Sequence, residues 1–153
     1  PASPSRRPSW KRTAPCSESA ESGWAIPTRI KTSRSTRLAR EHFIRWYSER
    51  ARAWLSGRVA EYQTRMEVAP AGVRVQDLGY RWGSCGKGDW LYFHWKSILL
   101  PARIAEYVVV HEIAHLHEPH HTPAFWLWVE RAMPDFAQRK AWLAEHGIDV
   151  EGI

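Results

Sequence analysis

Five of the eight histidines of this 153-residue chain fall within eleven positions, at 111, 115, 117, 120 and 121. His111-Glu112-Ile113-Ala114-His115 sets two imidazoles four residues apart with a carboxylate between them. On a helix that spacing leaves the two rings about 40° apart in projection, so they share a face. Two neutral imidazoles on one face suit a divalent transition metal, usually zinc. Glu112, about 100° around from His111, stands beside such a site and is placed to take a proton from a water the metal activates. The competing reading is a histidine-rich surface helix, and the neighbours weigh against it. Ile104 and Val108 continue the stripe of His111 and His115, while Ala105, Val109, Ile113 and Leu116 cover the other faces. A helix apolar nearly all round is buried. Burying two imidazoles and a carboxylate is costly unless something satisfies them, and a metal ion does so.

A catalytic zinc usually has three protein ligands and one open position. Candidates for the third are His117, His120, His121 and Glu130. His117 sits about 200° around the helix from His115 and points away. His121 reproduces the HExxHxxxxxH spacing, in which the chain turns back after the helix and returns an imidazole. In metzincins a glycine makes that bend; here Glu118-Pro119 occupies it. His121 therefore ranks first, the adjacent His120 second and Glu130 third.

The elements that position these residues follow from periodicity and breakers. From Leu38 the pattern is helical through Met66, with Ser56-Gly57 predicted to divide it into two helices and Ala69 to Gly72 to end the second. VRVQDL reads as a short strand, and YRWGSC and DWLYFHW as two more, joined by the turn Gly86 to Asp89. Leu91, Phe93 and Trp95 share one face of the last strand, and Trp90, Tyr92 and His94 the other. A helix follows Pro101, runs through the histidines and stops at Pro119. Thr122 caps the next, with Pro123 in its first turn, and Pro134 separates it from a last helix ending near His146-Gly147. Helices, a small antiparallel sheet and helices again make the expected class α+β.

Composition narrows the function classes. Residues 1–37 hold eight Lys/Arg against Glu18 and Glu21, which accounts for the whole net charge of +6; residues 38–153 hold fourteen of each sign. The folded body, expected over residues 38–150, is thus neutral and offers no basic patch for nucleic acid. The Ser-, Pro- and Arg-rich leader has no apolar periodicity and is expected to be disordered. It lacks the apolar core of a secretory signal, and its prolines spoil the amphipathic helix of a transit peptide. The chain starts on Pro1, which reads as a fragment or a misplaced start. Two distant cysteines, Cys16 and Cys85, give no disulfide framework, and no apolar run approaches a membrane span, so the expected compartment is the cytoplasm.

Several of these motifs occur together, in order. RWGSC, a turn and strand, YVVVHEIAHL, then His121-Thr122 with Phe125-Trp126, then Pro-Asp-Phe and a terminal Trp-Leu resemble the YgjP-like metallopeptidase family. That family is related to SprT-like and other HExxH zinc proteins. The resemblance covers about residues 38 to 147. It implies a zincin-like core, a zinc-dependent hydrolase with one Zn2+ on His111, His115 and His121, and Glu112 as general base. Two features depart from the family. The leader stands where members carry an amino-terminal β-rich segment, so part of the sheet is expected to be missing, and His94 stands where they usually offer Asn.

His94, Tyr92 and Arg81 are candidates to touch substrate or an oxyanion, with Tyr107 and His117 behind them. Cys85 reads as a small buried strand residue. The strand Trp90 to Trp95 is either an edge that receives an extended peptide or a half-buried core strand. The favoured activity is peptide or protein hydrolysis. The same site acting on a nucleotide phosphoryl group is the alternative, with only scattered Arg81, Lys87 and Lys96 to bind phosphate. A metal-stabilised, catalytically inactive module is the non-enzymatic one.

Overall fold

Ala51, Leu55, Val59 and Tyr62 recur every three or four residues and are all buried, which is what lays a single helix against the core. In the computed structural model, which describes residues 33–151, that helix is α1, Arg34–Arg65. Ser33 caps it, its hydroxyl accepting from the Thr36 amide at 3.2 Å. The break expected at Ser56-Gly57 does not occur. Both residues face solvent, and a Cβ on Gly57 would touch nothing within 4 Å. A solvent-facing glycine costs a helix only about 1 kcal/mol, less than interrupting the buried stripe on either side. Residues 34–37, counted from sequence with the leader, form the first turn of α1; the disorder expected for residues 1–32 lies outside the described residues.

Three short strands follow: β1 (Gly72–Gln76), β2 (Gly83–Cys85) and β3 (Trp90–His94). Their order is β1-β3-β2, which corrects the expectation of an antiparallel sheet. β2 and β3 form the predicted hairpin, with Gly88 and Asp89 of its turn at φ 71° and 61°. β1 then takes the opposite side of β3 and lies parallel to it, Val73 opposite Leu91. The sheet is mixed, and β3 is its centre. The possibility that β3 is an open edge for a peptide is thereby removed. Its core face is as expected, with Leu91 and Phe93 fully buried.

A 3-10 turn over Trp95–Leu99 leads into α2 (Ala102–Ala114), then α3 (Pro123–Ala132) and α4 (Phe136–Glu151). Thr122 caps α3 as predicted, accepting from the Phe125 amide. α4 continues past the expected end at His146-Gly147. Arg139 of α4 donates to Asp135 at 2.8 Å, to the Arg103 carbonyl at 2.8 Å and to Glu106 at 3.2 Å, tying α4 to α2. All described residues belong to one unit, Thr32–Ile153. Its core joins the α1 stripe, β3, α2 and the Phe125, Val129 and Met133 side of α3. Among the described residues no helix is long and apolar enough to cross a membrane.

Candidate metal centre

α2 is buried along almost its whole length, including Ile104, Val108, Val109, Val110 and Ile113, and this fixes where its polar residues must sit. His111 and Glu112 lie in its last turn, and His115 is its C-cap in a right-handed helical conformation, so the four-residue spacing survives the helix end. The helix closes earlier than Pro119. Leu116 and His117 donate to the carbonyls three residues back, and the residue before a proline is driven out of helical conformation. The Glu118 carbonyl is then within 3.2 Å of His115 Nδ1. A carbonyl only accepts, so Nδ1 carries the proton and Nε2 keeps its lone pair.

The bend brings His121 back just before the Thr122 cap. Its Nε2 lies 2.9 Å from Nε2 of His111. His111, His115 and His121 each offer a ring nitrogen, and these all lie within 4.8 Å of one another. Two nitrogens on one tetrahedral zinc stand ~3.3 Å apart for bonds of about 2.05 Å, so the pair needs little movement to share an ion. Phe125, fully buried at the first turn of α3, forms the floor, its ring centroid 4.9, 4.6 and 4.7 Å from those of His111, His115 and His121. Burial, then the nearby His115 and His121, push the His111 pKa down to about 3. Burial also lowers His115. Both rings are neutral near pH 7, the form that binds metal. Nδ1 of His111 is buried with no hydrogen-bond partner, so this ring is not held by a protein network of its own. The donor set fits a single divalent ion.

Glu112 is 5% exposed beside this cluster. The Gly86 amide donates to the Trp90 carbonyl and the His94 amide to the Trp82 carbonyl, so residues 82, 84 and 86 are the positions hydrogen-bonded to β3. The amides and carbonyls of Gly83 and Cys85 therefore point away from β3. The Cys85 amide donates to the Glu112 carboxylate, which steadies its charged form, but burial dominates and raises the pKa to about 8. Gly83 permits this approach: a Cβ there would stand 2.5 Å from Glu112 Oε1. The resulting cleft, of about 540 Å³, runs between β2 with its turn and the three histidines.

The other candidates are placed as follows. Arg81 lines the cleft and lowers the Glu112 pKa through its charge. Cys85 lines it as well, half-buried. Tyr92 lies against Gly86, where a Cβ would be 2.6 Å from its ring, and does not line the cleft. His94 is buried elsewhere, with Nδ1 accepting from the Lys96 amide and Nε2 3.3 Å from Asp77. His120 and Glu130 are exposed and outside the histidine cluster. His117 bonds the Met66 carbonyl at 2.7 Å and stacks on Trp128 at 3.8 Å. Sequence reasoning missed the Phe125 floor and the contact of Gly83 and Cys85 with Glu112. The glycine of RWGSC was the one available signal for the latter.

Comparison with known proteins places this arrangement. No curated protein matches the chain. Among solved structures, the crystal structure of the metallopeptidase zymogen of Pyrococcus abyssi abylysin is similar, with TM-score 0.53 and 18% identity over 60% of this chain and 93% of that one. At that identity the similarity speaks to the fold alone. A family model described as the YgjP-like metallopeptidase domain matches residues 11–146, reaching back into the segment read from sequence as an unrelated leader. With its α+β fold and HExxH-bearing helix, this chain belongs to the YgjP-like metallopeptidase domain family.

Proposed function

We propose that the chain is a zinc-dependent peptidase in which His111, His115 and His121 hold the ion and Glu112 is the general base. Family membership makes it a metal-dependent hydrolase of the metallopeptidase type. The observation that carries the finer reading is the set of three ring nitrogens within 4.8 Å of one another, two from the end of α2 and one from the bend after it, beside a buried carboxylate. Zinc bound there supplies Lewis acidity toward a carbonyl and brings the pKa of water down to about 7.

The protein's own groups do the rest. Glu112, oriented by the Cys85 amide, receives a proton from water in the cleft and can return it to the departing amine. The outward carbonyls of Gly83 and Cys85 offer acceptors to the amides of an extended peptide lying beside β2. Phe125 keeps the floor of the site dry. Arg81 and Lys87 both line the cleft, which favours a substrate bearing negative charge near the scissile group. A nucleotide would share that feature, so nucleoside triphosphates belong in the assay beside peptides, although neither comparison points to one.

Glu112→Gln tests the mechanism. The variant should keep its zinc and lose about 10²- to 10⁴-fold in peptide hydrolysis. Unchanged turnover would sink the assignment of Glu112.

A further inference from the structure

A second hollow, of about 210 Å³, adjoins the cleft and shares Gly83, His111 and Glu112 with it. Its remaining walls are Trp82, Tyr107, Val108 and Leu143, with Arg81 also bordering it. Three separate parts of the fold build it: the residue before β2, the face of α2 one turn ahead of the HExxH motif, and α4. α4 comes close enough to Trp82 that a Cβ on Gly147 would be 3.4 Å from the indole Nε1. Leu143, which the metal centre leaves without a task, thereby acquires one.

We propose that this hollow receives one substrate side chain beside the scissile bond, and that it selects peptides with a large apolar residue there. The inference rests on the peptidase reading and adds a substrate class to it. Size favours it, because an apolar cavity of ~150 Å³ is enough to take a benzene ring. Position favours it as well. An extended peptide along β2 turns alternate side chains to opposite faces, so a carbonyl at the histidines leaves a neighbouring side chain facing protein. Gly83 and the Glu112 side chain packed on it form the border that cleft and hollow share. Arg81 at the border disfavours lysine and arginine side chains by like charge.

The test uses the full chain loaded with zinc, as wild type, Leu143→Ala and Leu143→Trp. Peptides differing only at the residues flanking the scissile bond would carry Phe, Leu, Ala or Lys. Wild type should prefer Phe or Leu over Ala at one flank by at least about tenfold in kcat/KM, and reject Lys. Leu143→Trp should move that preference toward Ala, and Leu143→Ala toward larger rings. An identical ranking in all three proteins, with hydrolysis intact, would overturn the proposal. Binding gives a readout independent of turnover. Phenylalaninamide should shift the Trp82 indole N–H signal, assigned with Trp82→Phe, in wild type but not in Leu143→Trp, and lysinamide should not. Absence of that shift up to the solubility limit overturns the hollow as a subsite whether or not any peptide is cleaved. A shift without any peptide cleavage would leave the subsite standing and sink the peptidase reading instead.

Discussion

Two imidazoles, the buried His94 and the half-buried His111, sit in opposite kinds of environment. His94 accepts the Lys96 amide at Nδ1, which leaves Nε2 as the protonated nitrogen facing the Asp77 carboxylate at 3.3 Å. Asp77 is held below its usual range by the Gly79 amide and, more weakly, by His94 itself. At His111 the polar partners are absent on one side and of the wrong kind on the other. Nδ1 has no hydrogen-bond partner, and Nε2 faces another imidazole at 2.9 Å. A protein rarely buries a polar group without compensation. The first ring is compensated by neighbouring groups of the chain and helps hold the end of β3. At the second, the Nε2 that faces His121 is compensated only once something with positive charge and empty coordination sites lies between the rings.

The largest expected effects test that contrast directly. Elemental analysis should find one zinc per chain in the wild type and in His94→Asn, and essentially none in His111→Ala or His121→Ala. Removing the ion with a chelator should lower Tm by roughly 10–20 °C if zinc is held at a thousandfold excess over Kd. Zinc retained by His111→Ala, or lost from His94→Asn, would reverse the assignment of the two environments.

A smaller effect comes from Glu112, whose burial leaves its carboxyl with a pKa near 8 against a usual 4.5. Between those values the folded metal-free protein keeps a proton that the unfolded chain has released, so stability falls as pH rises through this window. His111 acts in the opposite sense at lower pH. Its pKa of about 3, against 6.5 unfolded, means that stability is gained as pH rises from about 3 to 6.5. Metal-free Glu112→Gln should therefore be more stable than wild type at pH 9, by on the order of 4 kcal/mol, and nearly equal to it at pH 4. Urea titrations at the two pH values would measure this. A nearby divalent cation favours the carboxylate, so zinc should flatten the wild-type slope. Parallel pH profiles for the two metal-free proteins would show that burial does not govern Glu112.

Local pattern carried much of this site. The four-residue spacing of His111 and His115, the apolar helix around them, and Thr122-Pro123 opening the next helix are all short-range features, and they sufficed to rank His121 first. What could not be read depends on pieces distant in the chain. The parallel pairing of β1 with β3 follows from which edge the β2-β3 hairpin leaves open, and no residue of VRVQ encodes it. Gly83 and Cys85 meet Glu112 across an interval of nearly thirty residues. Ser56-Gly57 misled because its local cost is real but smaller than the burial of Leu55 and Val59 around it. His94, chosen from its place in a strand, turned out to face a different cavity, with Asp77 and Lys96.

The smallest expected effect separates two jobs within one bend. His117 leaves α2 two residues after His115 yet faces the other way, its Nε2 on the Met66 carbonyl at the end of α1 and its ring flat on Trp128. The carbonyl fixes the proton on Nε2, so this nitrogen is a donor and not a ligand. His117→Phe keeps a ring to stack on Trp128 and removes one hydrogen bond, a loss of about 1 kcal/mol. Such a change should lower the urea midpoint slightly while zinc stoichiometry stays at one. His120→Ala, at an exposed loop position, should alter neither. If His117→Phe instead stripped the metal, the bend could not be treated as two independent faces, and the return of His121 would depend on the clamp to α1 and α3 as much as on the Thr122 cap.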